Sequence, residues 1–587
     1  MTNESVIPTP ATPDVCTVAL LIDGEEISGQ FQILTVAVSR EINRIPSATL
    51  QLKDGEAAKA TFAASNTAYF IPGKSIEIQL GYRSQNTTVF KGTIVKHSIK
   101  IRKNESLLIL ECRHQVVKMT GGINSRYYTD KKDSDIMEAL IGLHGLANDV
   151  ESTEPDLKEV VQYEASDWDF LMCRAEANGY VVVVADDIIR IGKPLTGEEP
   201  VVQVGYGSTL LELDAEIDAR LQSKSLKATA WNAAEQEVIE AEAAEPSAMN
   251  SGNLAHADLA AVMQDDSEIR HGGGLTLPEL KAWADARLLK ERLAKIRGRA
   301  RFQGFAEVQP GNVIDLTGIG ERFEGKVYVS GVRQIVAGGN WETDVQFGIS
   351  PELFAETYHL RPLPAAGLLP AVSGLQMGVV TVLENDPDGE DRVKIRLPLV
   401  SASDEGVWAR LATLDAGNQR GTFFRPEIGD EVLVGFLGDD PRFPVVLGMC
   451  HSSAKPAPES AKDDNHRKGY ISREKMAFTF DDEKKVILLE TPGGNRITLS
   501  EDEQAILVED QNSNKITLNP DGITLESAKD IILKATGDVK IEGMNAEIKA
   551  QTGFNAEGSA TAEISGASTT INGSASTTIK GGVVQIN

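Results

Sequence analysis

Aromatic residues, cysteine, histidine and basic charge are all scarce in this chain of 587 residues, and each scarcity excludes a class of function. Aromatics make up 5% of the sequence, and after Phe480 the only one is Phe554, so the C-terminal region lacks the rings a receptor-reading tip exposes. The four cysteines, Cys16, Cys112, Cys173 and Cys450, show no C-x-x-C spacing and read as structural thiols of a reducing compartment. Lysine and arginine number 58 against 86 acidic residues; the net charge of −28 would repel nucleic acid. No run of 18 apolar residues occurs, and the nearest, 360–380, is broken by Arg361, Pro362, Pro364 and Pro370. The N-terminal residues show no basic region followed by an apolar core. Synthesis and folding in the cytoplasm, without stable membrane anchoring, are expected.

Motifs for chemistry are missing as well. The eight histidines never fall at metal-ligand spacing, and none follows His466, so no metal is expected at the C-terminal end. There is no G-x-S-x-G elbow. Gly553 and Gly558 have phosphate-loop spacing, but Ser559-Ala560 stand where Lys-Ser/Thr is needed. Gly318-x-Gly320 reads as a hairpin turn. The adjacent carboxylates Asp186-Asp187, Asp439-Asp440 and Asp481-Asp482 would point to opposite faces of a strand, so they read as solvated turns rather than acid/base pairs. The expected catalytic, cofactor-binding and metal residues are therefore none.

What is present is a repeat. β-Branched residues recur about every eight positions at Ile523, Ile531, Val539, Ile548, Ile564, Ile571 and Ile579, among Gly, Ala, Ser, Thr, Asn and acidic residues. Short strands at fixed spacing with small corner residues signal a β-solenoid. A step of eight supplies one strand and one corner, whereas a single-chain coil needs about twenty residues to close. One apolar residue per step also buries too little surface to offset the entropy of ordering. Three chains, each forming one side of a prism, solve both problems, which predicts an intertwined trimeric β-helix. At about 4.8 Å per step, residues 523–587 would extend roughly 40 Å. The open strand edges at its end require a cap, and Val583, Val584, Gln585, Ile586 and Asn587 are the residues expected to meet it.

Upstream, the pattern is mainly β with an α+β portion. Alternation marks strands at 75–82, 93–102 and 107–113. Helices are predicted over 134–143, capped by Asp133 or Ser134, and from Ser166 to a C-terminal Gly179, burying Trp168, Leu171 and Met172. The residues around Asp186-Asp187 predict a strand pair. Residues 233–267 form an acidic insertion expected to be exposed and partly helical. A long helix over 276–297 begins with the capping box Thr276/Glu279 and Pro278 in its first turn. After a Pro-rich linker at 361–377, residues 378–450 form a compact β unit of about five short strands, the size of an OB-fold barrel. A charged spacer at 451–475 precedes the repeat region, 476–587.

The 378–450 unit carries a specific resemblance. Its Asp386-Pro, Arg392-Val-Lys-Ile-Arg, Val407-Trp-Ala-Arg, Phe424-Arg-Pro-Glu-Ile-Gly-Asp-Glu-Val-Leu-Val and Gly438-Asp-Asp-Pro-Arg-Phe-Pro-Val-Val-Leu-Gly resemble, in order, the OB domain of VgrG-type spike proteins of contractile injection systems. Residues 163–184 are similar to the helix-and-strand segment of that family's hub, so the resemblance covers nearly the whole chain. It implies a hub domain with barrel subdomains at 1–360, an OB-fold domain, and a trimeric β-helix needle. It further implies a homotrimer of structural, non-enzymatic character at the tip of a contractile machine of the type VI secretion or extracellular particle kind. The implied partners are a PAAR-repeat tip protein, an Hcp-like inner tube, baseplate proteins and effector cargo. Such a spike is assembled in the bacterial cytoplasm and ejected on contraction. A trimeric phage-like tail fibre or adhesin explains the repeat equally well, but leaves the OB unit and the helix–strand hub without a purpose. A β-helical lyase would need a wider coil than eight-residue steps can build.

Overall fold

A computed structural model describes all residues except 1–6, 8–14, 28, 104, 248–250, 264–265, 359, 361–363 and 587. The chain divides into two compact units, Met1–Met449 and Cys450–Asn587.

In the first unit a thirteen-stranded sheet organises the N-terminal portion. One arm follows Ile33–Glu41, Ser47–Lys53, Ser106–Arg113, Gln85–Ile101, Ser75–Tyr82 and Cys16–Ile22. The other follows Gly325–Ala337, Asn340–Phe347, Ile296–Gln303 and Leu210–Ile217. The arms join where Ile33–Glu41 pairs antiparallel with Gly325–Ala337, from Gly331 opposite Glu41 to Ala337 opposite Thr35. Period-two alternation drives the burial. Val36, Val38, Leu50, Leu52, Leu108 and Leu110 enter one core with Phe70 and Phe90, to which the second arm adds Val336 and Trp341. Phe302, Ile314, Leu316, Val345 and Phe347 form a second core.

Helix α1, Asp133–Leu143, and helix α2, Asp167–Ala177, pack through Ile136, Met137, Leu140, Leu171 and Met172 into a third. Ser166 caps α2 as expected, its hydroxyl accepting from the Asp169 N–H, and Gly179 follows at φ +70°. At α1 the expected side-chain cap is replaced: Lys132 is the cap residue and makes no such bond. The Asp133 carboxylate instead accepts two bonds from Arg174 and one from Asn178, tying α1 to α2.

The acidic insertion is mostly exposed and includes a short helix, but it also holds a strand that its composition does not suggest. It contributes the strand Glu237–Glu242 to a three-stranded sheet with Ser225–Asn232 and Asp266–His271, together with the short helix α3, His256–Ala260. Ile239 and Ala241 face inward against α4, Leu277–Leu293, while Glu237, Glu240 and Glu242 remain exposed. The alternation lies within an Ala/Glu-rich composition that looks helical. α4 carries the complete Thr276/Glu279 capping box, but it ends at Leu293 and Arg297 lies in the strand Ile296–Gln303.

The closed barrel follows the order Gln376–Val382, Val393–Arg396, Val407–Leu411, Pro444–Met449, Glu431–Phe436. Val380, Val393, Ile395, Ala409, Val432, Val434 and Val446 fill it. Gly406, at φ +92°, lies so close to the Ile395 carbonyl that any side chain there would collide with it. The Asp386 turn opens the second strand: its carboxylate accepts from the N–H groups of Asp388, Glu390 and Arg392 and from the Arg392 guanidinium.

The second unit begins as an antiparallel meander of seven five-residue strands: Arg467–Ile471, Ala477–Asp481, Val486–Glu490, Arg496–Ser500, Ala505–Glu509, Lys515–Asn519 and Gly522–Glu526. Its first strand falls within the stretch read as spacer. Past Glu526, no strand is formed among the described residues.

Candidate functional site

The meander aligns the large apolar side chains of its strands into continuous rows. Residues opposite one another across successive strands form one row: Tyr470, Phe478, Leu489, Ile497, Val508, Ile516 and Leu525. Two positions along each strand, and therefore on the same face, runs a second row: Phe480, Ile487, Leu499, Ile506, Leu518 and Ile523. Phe480 is 37% exposed and Ile523 73%, with Leu489, Ile497, Leu499, Ile506 and Ile516 between them. The face borders an open apolar trough of about 780 Å³. On the reverse face, Thr479, Leu488, Thr498, Leu507, Thr517 and Thr524 form the corresponding row. A contiguous apolar surface is where covering by a partner gains most, since each large side chain contributes about 1.5–3 kcal/mol when fully buried.

Charge fixes the strands' edge. Glu490, Arg496, Glu509 and Lys515 alternate in sign across four strands, with Arg496 at 2.9 Å from Glu490 and Lys515 at 2.8 Å from Glu509. The Glu509 carboxylate raises the Lys515 amine. In the next turn, bonds from Asn514 and Asn512 hold the Asp510 carboxyl at about 2. The row spacing is visible in the sequence as three I-T-L triplets with one I-L-L and one I-L-V, all but one of them upstream of the eight-residue repeat that begins at Ile523.

The sequence-predicted tip residues are not gathered into a site within one chain. Val583, Gln585 and Ile586 are exposed and Val584 is 48% exposed; Asn587 lies outside the described residues. The apolar octad positions Ile531, Val539, Ile548, Ile564, Ile571 and Ile579 are likewise exposed.

Elsewhere the titratable groups are structural. Asp186 corrects the expectation of a solvated turn: it forms an ion pair with buried Arg40, and its backbone carbonyl meets His114 Nε2 at 3.2 Å. Burial pushes His114 down despite that acidic neighbour. Asp440 is also buried and paired with Arg442, Asp439 and Asp481 are half-buried, and Asp187 and Asp482 remain exposed as expected. The Asp167 carboxylate is 2% exposed. Burial alone would raise it, but bonds from Arg126, Gln162 and His144 overcome that and hold it low. Burial, then Lys295 and Arg292, lower His256 to about 4. Among the described residues no three His, Cys, Asp or Glu side chains are grouped to hold a metal ion, and no helix is long and apolar enough to cross a membrane.

Comparison with known proteins follows the same divisions. Residues 12–338 match the family model described as the Alg8 N-terminal domain. Residues 376–451 match the type VI secretion system/phage-baseplate injector OB domain, and 485–587 the phage baseplate V C-terminal trimerisation domain. Fold and matches together define a VgrG-type spike protein. The chain belongs to the family of the Alg8 N-terminal domain, whose model covers more than half of it.

Among curated relatives, the type VI secretion system spike protein VgrG1b of Pseudomonas aeruginosa is 25% identical over 226 residues, 36% of this chain and 29% of its own length. VgrG3 of Vibrio cholerae is 32% identical over 118 residues, 18% of this chain and 11% of its own. The aligned stretches thus span well under two thirds of either relative. Among solved structures, a tail protein from Neisseria meningitidis covers 59% of this chain and 99% of its own, at 13% identity and a TM-score of 0.43. A Francisella PdpA-VgrG complex covers 88% of both chains at 9% identity and a TM-score of 0.39.

Proposed function

We propose that the chain works as the non-enzymatic structural spike of a contractile injection machine, a homotrimer that links tube and baseplate to a PAAR-type tip and pierces the target envelope. The observation that carries this reading is the two-row apolar face of the meander, open in a single chain and lying within a segment that largely overlaps the match to a trimerisation domain. Three such faces turned inward would supply a dry interior, and the octads beyond would exchange backbone hydrogen bonds between chains. Such bonds along an axis share load in parallel, which suits a component that acts by being pushed.

In this reading the blunt end formed by Val583, Val584, Gln585, Ile586 and Asn587 seats the tip protein, and the hub meets an Hcp-like tube, the baseplate and any effector cargo. The particle is assembled in the cytoplasm and the spike leaves on contraction. Light scattering on the full chain is expected to give three times the chain mass, and deletion of 583–587 to abolish capture of a PAAR-repeat protein while leaving that mass unchanged. A monomer in native buffer would sink the spike reading, and undiminished capture would remove the tip assignment.

A further inference from the structure

The second unit is built from two kinds of backbone. In residues 467–526 every strand pairs with its sequence neighbour, so the sheet forms within one chain and only the outer edges of its first and last strands have no strand partner. Beyond Ser527 no backbone-to-backbone hydrogen bond forms among the described residues; the N–H groups of Ala528 and Lys529 are held by Asn514 and Ser527 side chains. The apolar density differs as well. The meander places two rows of large side chains on one face, whereas the octads offer about one such residue per step.

We infer that the meander's apolar face is the nucleus of association, closed by the same face of two further copies, and that residues 527–587 wind onto that base afterwards, from the meander toward Asn587. This rests on the trimeric reading above and assigns its parts separate duties. A second copy fits as occupant for three reasons. The face is continuous over all seven strands; the alternating Glu490, Arg496, Glu509 and Lys515 row at the strand ends pins a single register in each copy; and the match to a trimerisation domain begins inside the meander, at residue 485. The order follows from nucleation. A preformed sheet loses little conformational entropy on docking, whereas an octad segment must order its whole backbone at once. With the base formed, each successive step orders only its own residues on a template already in place.

The test uses the full chain in three forms: unaltered, Ile497→Asp with Ile516→Asp on the meander face, and Ile548→Asp with Ile564→Asp in the octads. Mass is read by light scattering and local order by amide hydrogen exchange, with protection of the hub serving as the folding control. The meander variant is expected to be monomeric and to lose protection throughout 527–587, by tenfold or more, with the hub unchanged. The octad variant is expected to remain trimeric, with protection kept up to the altered steps. Conservative controls, Ile497→Val with Ile516→Val, should behave as the unaltered chain.

An octad variant that falls to monomer, or a meander variant that remains trimeric, overturns the division of duties while leaving the trimeric spike intact. A meander variant whose face is instead covered by its own octads, seen as monomer with protection retained, overturns it too. An unaltered chain that is itself monomeric removes the trimeric reading and the inference with it.

Discussion

Asp167 opens α2, and its carboxylate accepts bonds from Asn124, Arg126, Gln162 and His144, so one side chain links α2, the paired strands Asn124–Lys131 and Leu157–Ala165, and the end of α1. Asp167→Ala would leave Arg126 and Gln162 facing a space without an acceptor. Removing one partner of a buried ion pair typically costs about 3–5 kcal/mol, and the partly exposed Arg126 places the expected loss near the lower end, to be read by chemical denaturation of the first unit. A change within about 0.5 kcal/mol, the usual range for inert surface sites, would show that the cluster holds nothing together.

His256 makes the acid response testable. Its folded value lies near 4 against 6.5 for the free side chain, so between those pH values the unfolded chain binds the proton that the folded one refuses. Stability should therefore fall as the pH drops through that window and respond no further below it. His256→Gln should flatten the curve there, and an unchanged slope in urea titrations at pH 7 and pH 4.5 would disprove the assignment.

The legible residues were those whose partners are local in sequence. Ser166, Thr276 and the Asp386 turn could be identified because the groups they bond lie within six positions. Asp186 could not, because its partner Arg40 stands on a strand brought beside it by tertiary folding.

Among elements, α4 joins local and distant forces. Thr276 and Glu279 satisfy each other's backbone N–H groups, while Leu280, Ala284 and Leu288 bury the helix against the insertion's sheet. Thr276→Ala is expected to cost about 1 kcal/mol, measured as a lowered unfolding midpoint with unchanged denaturant slope. An unshifted midpoint would mean that packing alone sets the helix start.

The barrel strands were readable because their alternation is strict and Gly or Pro marks their ends. The insertion's strand was masked by alanine and glutamate, good helix formers whose preference was overridden by pairing with Ser225–Asn232. In the meander each strand holds only five residues, so its two apolar positions on one face resemble the sparse β-branched pattern of the octads. Register across turns, which separates the two, becomes visible only when the strands are paired.

At the scale of the whole molecule, the thirteen-stranded sheet makes the N-terminal portion one cooperative body. Val336 and Trp341, from one arm, share a core with Leu50 and Phe90 from the other. Leu50→Ala should cost about 2–5 kcal/mol and lower amide protection in both arms together, including Gly325–Ala337 and Asn340–Phe347. Loss confined to the first arm would show that the two unfold separately.

Cysteine placement gives the molecule a practical property. Cys16 and Cys112 are buried, and burial pushes Cys112 to about 12 and Cys173 to about 11, which leaves them almost wholly protonated and slow toward electrophiles. Cys450, where the second unit begins, is the one exposed thiol of the four. The unaltered sequence therefore offers a single chemical handle, at which one fluorophore or spin label per chain would report on the passage from barrel to meander without any engineering of the fold.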